Sequence, residues 1–177
     1  MITPNSSNEK MAETTAVNQE DIFGPMFAMF FLSSVVGFTV ASRRVPFIRA
    51  YLKKHRIRDD TEMDNPSSPH YLLKISPPYV YNPSNNLKNL FEFPVLFYSV
   101  ILYLFVTNQV DIWYIRAAWI YAGLRCMHSF IHCNSNIVIY RFLVFLASVQ
   151  VLGYMLFRAG WAHFSGRTSL AIWASLG

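Results

Sequence analysis

The sequence predicts an all-α membrane protein, a bundle of four transmembrane helices, and three observations carry that prediction. Of the 177 residues, 53% are apolar and only 14% are charged, whereas a soluble domain carries about a quarter charged residues. The charges are also unevenly spread, with nine of the fifteen Lys and Arg falling in residues 43–88. Between the charged parts lie four apolar stretches. Each is close to the roughly 20 residues that cross ~30 Å of hydrocarbon at ~1.5 Å per residue.

In chain order, residues 1–20 form a polar tail whose composition favours disorder. The membrane domain follows over residues 21–162. Its first span is 22–42, free of charge, with Pro25 tolerable in the first turn. No basic n-region precedes it, so this span is expected to act as an uncleaved anchor. Arg43 and Arg44 stop it. Beyond Pro46, a basic segment from Arg49 to Arg58 includes Lys53, Lys54 and Arg56. It reads as a short interfacial helix, so residues 43–58 offer a surface to anionic lipid or a protein partner.

Residues 59–86 carry four acidic residues and then Pro66, Pro69, Pro77, Pro78 and Pro83, a run expected to take an extended path. The second span is 90–106. After the turn at Thr107-Asn108-Gln109-Val110-Asp111 comes the third, 112–133. A second tight turn, Asn134-Ser135-Asn136, leads to the fourth, 137–161. Residues 163–177 are a weakly amphipathic tail, interfacial or partly unstructured.

Basic residues concentrate beside membrane spans on the cytoplasmic side. Loop 43–88 is therefore expected in the cytoplasm and both termini outside, since the tails contribute only Lys10 and Arg167. The net charge of +5 sits against lipid headgroups and excludes a nucleic-acid groove. The aromatic residues, 16% of the chain, read as packing and interface-belt residues. Cys126 and Cys133 are seven apart on one helix and read as reduced packing residues.

Charges inside a span cost ~2.5–3.5 kcal/mol each and need a partner or a function. Arg116 and Arg158 lie near the outer ends and reach the interface. Glu92, Arg125 and Arg141 fall together in the inner half of the bilayer. Asn89 shares a face with Glu92, and His128 and His132 share one with Arg125. Two readings fit: an ion-pair cluster in which Glu92 neutralises one arginine, or a site for an anion. Two arginines against one glutamate favour an anion with carboxylates, which the guanidinium fork holds in pairs. Zinc on His128 and His132 lacks a third ligand, because Cys133 projects about 100° away from His132. No metal is expected.

At these residues the chain resembles the MAPEG family, membrane-associated proteins in eicosanoid and glutathione metabolism. The family's second helix opens with Asn-x-x-Glu, here Asn89-Leu90-Phe91-Glu92. The third carries Arg-x-x-His in the prostaglandin E synthase branch, here Arg125-Cys126-Met127-His128. The sixteen-residue step to Arg141 also matches that branch. The string from Asn89 to Tyr98 looks like bacterial members of unassigned activity. Arg43 or Arg44 corresponds loosely to another family arginine. The resemblance spans residues 22–160 and is most specific over 85–145.

The resemblance implies a homotrimer that takes glutathione as co-substrate between subunits, near the cytosolic side. Asn89, Glu92, Arg125, His128 and Arg141 would bind it, with Arg141 the catalytic cation that stabilises the thiolate. Two family tyrosines are replaced, by His132 and Phe145; Tyr121 and Tyr140 are the neighbouring phenols. The implied function is a glutathione-dependent transferase or peroxidase acting on lipophilic electrophiles. The alternative is a non-catalytic lipid-binding scaffold or an accessory subunit of a larger membrane complex. The bacterial look of residues 89–98 places it in a bacterial inner membrane.

Overall fold

The computed structural model describes residues 17–55 and 69–176. Five α-helices run in order: α1 Phe23–His55, α2 Pro69–Lys74, α3 Pro78–Val106, α4 Ile112–Cys133 and α5 Val138–Leu176. Among the described residues there is no strand. Three helical stretches are long and apolar enough to cross a membrane: Gln19–Lys54, Pro78–Val106 and Val138–Gly166. The remaining long helix, α4, is diluted by Arg116, Arg125, His128 and His132. Its 22 residues still span ~33 Å, and short turns at both ends oblige it to cross back between α3 and α5.

The four long helices form one bundle. Helix α1 lies against α3 and α4, and α5 against α4 and α3. Phe97, Ile101 and Leu104 of α3, Ala118, Tyr121 and Ala122 of α4, Met29 and Val36 of α1, and Met155 of α5 fill its core. The Phe97 and Tyr121 rings stack at 4.4 Å. Alanines along α4 let its neighbours approach closely. At Gly24, an added Cβ would lie 3.1 Å from the Trp119 ring. Outward-facing Phe27, Phe31, Phe38, Phe142 and Phe157 remain exposed, as a lipid-facing surface requires.

Several boundaries differ from the sequence expectation. Residues 17–20, assigned to the polar tail, are ordered. Asn18 caps a 3-10 turn at Gln19–Ile22, and the Gln19 amide exchanges two hydrogen bonds with the Val110 backbone; residues 1–16 lie outside the described part. The first helix does not stop at Arg43 but continues through Pro46 to His55. At ~50 Å it outruns the hydrocarbon by ~20 Å. The basic segment thus continues α1, although residues 56–58 lie outside the described part. The expected tail from His163 is likewise the end of α5, which reaches Leu176.

The largest correction concerns the prolines. Of the stretch expected to be extended, residues 59–68 lie outside the described part, whereas 69–74 and 78–86 are helical. Pro77 caps α3 and Pro78 is its first residue, positions where the missing N–H costs nothing. Pro83 lies inside the helix and cannot bond the Tyr79 carbonyl. Arg43 takes that acceptor instead, donating to the Tyr79 oxygen at 3.2 Å. Helix α3 therefore begins three turns earlier than its apolar run.

Candidate functional site

That early start aligns polar residues along α3 in two registers. Asn82, Asn86 and Asn89 recur at helical spacing and face α4. Asn82 accepts from Asn136 at 3.1 Å. Asn86, fully buried, accepts from Ser129 at 3.4 Å and donates to the Cys133 sulfur at 3.6 Å. The Asn89 carbonyl accepts from Arg125 at 2.6 Å. Asn85, Lys88, Asn89 and Glu92 form the second register, which borders an open cleft at the end of the bundle where α1 carries its basic residues.

The cleft has a volume of about 450 Å³. Helix α4 contributes His128 and His132, and α5 contributes Val138, Arg141, Phe142 and Phe145. The turn between them fixes the arginine. Asn136 adopts the left-handed backbone, φ 48°, which Asn tolerates better than most residues. Its side chain donates to Asn82 and accepts from the Arg141 guanidinium at 2.6 Å. His128 Nδ1 bonds the Arg141 backbone carbonyl at 3.1 Å. The cleft thus brings together a fixed guanidinium, an ammonium, two imidazoles, one carboxylate and the apolar Val138, Phe142 and Phe145.

Of the five expected site residues, four border this cleft: Asn89, Glu92, His128 and Arg141. Arg125 does not. It is fully buried, with its guanidinium 5.7 Å from the Phe145 ring centroid, and Phe145 is what faces the cleft. Among the described residues Glu92 forms no salt bridge with Arg125 or Arg141, although its charge acts on Arg125 through space. Arg125 Nε and one terminal nitrogen have no hydrogen-bond partner, so this buried cation is only partly hydrogen-bonded.

Lys88, Asn85 and Asn136 were missed as site residues. Asn85 and Lys88 were hidden by the expectation that α3 begins near Leu90, and the Asn85, Lys88, Glu92 spacing would have marked them; Asn136 was read only as a turn residue. Neither neighbouring phenol reaches the cleft. Tyr121 is fully buried against Phe97, and Tyr140 is exposed away from it. The cysteines are both free; Cys133 packs against Asn86, whereas Cys126 is exposed rather than packed. Among the described residues, no group of three or more His, Cys, Asp or Glu is placed to hold a metal ion.

The model of the MAPEG family matches residues 22–161. The chain belongs to the MAPEG family. The match covers α1 through most of α5 and therefore every residue of the cleft. No curated protein and no solved structure matches the chain. As a MAPEG protein it is a multi-pass helical membrane protein. An imidazole and a phenyl ring, His132 and Phe145, are among the groups that border its cleft.

At the opposite end of the bundle, Arg158 forms a two-pronged ion pair with Asp111, at 2.9 and 2.5 Å. Asp111 also caps α4 through the Tyr114 N–H at 2.9 Å, and Arg158 lies 4.3 Å from the Tyr114 ring centroid. The Arg158 hydrogen bonds hold the Asp111 carboxyl below its ordinary value. Arg158, expected near the outer end of its span, has a carboxylate partner there.

Proposed function

We propose that this MAPEG protein is a glutathione-dependent transferase or peroxidase acting on lipophilic electrophiles, with the cleft as its glutathione site. One observation carries the reading: Lys88, Asn89, Glu92 and Arg141 border a single open cleft. Glutathione carries two carboxylates and an amine, for which two cations, a carboxylate and an amide are complementary. Arg141, fixed by Asn136, is the residue to stabilise the thiolate, because a nearby cation lowers a thiol's pKa. Apolar substrate would arrive from the bilayer past Phe142 and Phe145. The basic end of α1 supports placing the cleft on the cytoplasmic side with both termini outside. A homotrimer and a bacterial inner membrane belong to the same proposal.

The test is thermal unfolding of the detergent-purified protein with and without millimolar glutathione, in wild type and Arg141→Ala. A stabilisation in wild type that is lost in the variant is the expected result. The absence of any shift in wild type would remove glutathione from the cleft.

A second reading rests on Phe145, which places a ring without a hydroxyl at the cleft. It favours a lipid-binding scaffold or an accessory subunit that performs no chemistry. Co-purification of a stoichiometric partner, together with no glutathione-dependent conjugation, would decide for it.

A further inference from the structure

His128 makes one hydrogen bond, and that bond fixes its tautomer. Nδ1 lies 3.1 Å from the backbone carbonyl oxygen of Arg141. A carbonyl oxygen only accepts, so Nδ1 carries the hydrogen and the neutral ring keeps its lone pair on Nε2. Nε2 is buried without a partner, although the ring borders the cleft beside Arg141. Its aromatic neighbours do not satisfy it. Phe145, at 5.8 Å between centroids, has no hydroxyl. His132 meets the ring edge to face at 5.6 Å and forms no hydrogen bond to it. A buried acceptor left without a partner opposes folding, and this one belongs to a ring that borders the cleft.

We propose that His128 is the proton acceptor of the cleft, taking the hydrogen of a bound thiol on Nε2 while the Arg141 guanidinium receives the thiolate. The inference rests on the glutathione reading. In the step, the S–H bond breaks and an Nε2–H bond forms. The electron pair stays on sulfur as a thiolate, and the ring becomes an imidazolium whose Nδ1–H remains on the Arg141 carbonyl. Arg141 acts twice: its backbone orients the base, and its side chain, held by Asn136, offers the compensating charge. The other charged and titratable groups around the ring are Lys88 and Glu92 of α3 and Arg125 and His132 of α4. The cations among them oppose an imidazolium until sulfur carries its charge, so proton transfer and thiolate binding are coupled.

The test compares glutathione with S-methylglutathione, which lacks the thiol hydrogen, on wild type and His128→Asn. The asparagine N–H takes the place of Nδ1 and keeps the bond to the Arg141 carbonyl but is not a base. Thiolate formation is followed by ultraviolet absorbance against pH. Wild type is expected to bind both peptides and to ionise glutathione near neutral pH. With peptide at saturation, His128→Asn is expected to ionise glutathione about one pH unit higher or more. Its conjugation rate should fall roughly 100-fold. Unchanged ionisation in the variant overturns the inference while leaving the glutathione site intact. Failure of wild type to bind either peptide overturns both. A second measurement needs no variant: nitrogen NMR of histidine-labelled wild type should show Nε2 protonation with glutathione but not with S-methylglutathione. The same spectrum with both peptides overturns the assignment.

Discussion

Arg125 donates to the backbone carbonyl of Asn89 at 2.6 Å, so a buried guanidinium on α4 is tied to the main chain of α3 and not to an acid. Pro94 lies four residues beyond Leu90 in the same helix and cannot bond the Leu90 carbonyl. The guanidinium thus joins α3 beside the turn that its proline loosens. Glu92, only three residues along, projects into the cleft instead. Replacing Arg125 with alanine should therefore destabilise the unliganded protein by about 2–3 kcal/mol, through the emptied space and the lost bond. Thermal or denaturant unfolding in detergent measures this. A stability equal to wild type would show that the bridge contributes nothing.

The Arg141 side chain faces the cleft with Asn136 beside it, so its loss should act on chemistry more than on folding. Arg141→Ala is expected to abolish glutathione-dependent turnover while the unfolding temperature moves little. Asn136→Ala leaves the charge but frees its position, and should lower kcat about tenfold or more. Steady-state kinetics with a lipophilic electrophile measures both. Turnover preserved in Arg141→Ala would take this residue out of the mechanism.

The Arg43 bond to the Tyr79 carbonyl exists because Pro83 has no N–H to offer. A double-mutant cycle isolates the effect. Arg43→Ala should cost about 0.5 kcal/mol in the wild-type background, as befits an exposed hydrogen bond. It should cost nearly nothing beside Pro83→Ala, where the helix bonds its own carbonyl again. Equal costs in both backgrounds would mean that the two residues are independent.

The Asp111 pair gives a pH dependence of definite sign. Arg158 holds the Asp111 carboxyl below its ordinary 3.8 in the folded protein. Its contribution is therefore complete above 3.8 and disappears as the pH falls through the lowered folded value. The side chains are 35% and 37% exposed, and screening keeps the pair to about 0.5–1 kcal/mol. Asp111→Asn, which retains the cap, should remove that amount and flatten the acid limb of the stability curve. Asp111→Ala should cost about 1 kcal/mol more, because the cap goes too. An acid limb unchanged in Asp111→Asn would assign the dependence to other carboxylates.

The bundle was legible in the sequence because a membrane imposes a length and an apolar character on each span. Helices begin at Phe23, Ile112 and Val138, close to the starts of three of the apolar runs. Asn89, Glu92, His128 and Arg141 were also legible, since charge and amide groups in lipid are costly enough to be conspicuous. What composition alone determines is which segments enter the membrane and which polar residues enter with them.

Only the tertiary structure decided how far the helices extend and where the arginines point. Pro46 and Pro83 look like helix ends, yet α1 runs on through the one and Arg43 takes the carbonyl freed by the other, and no local rule contains a partner 36 residues distant. Arg125 and Arg141 are equally charged in the sequence. The turn at Asn136 puts one at the cleft, and packing of α3 on α4 buries the other behind Phe145. Spacing along a helix fixes which face a side chain takes, but what lies opposite that face is set by the neighbouring helix.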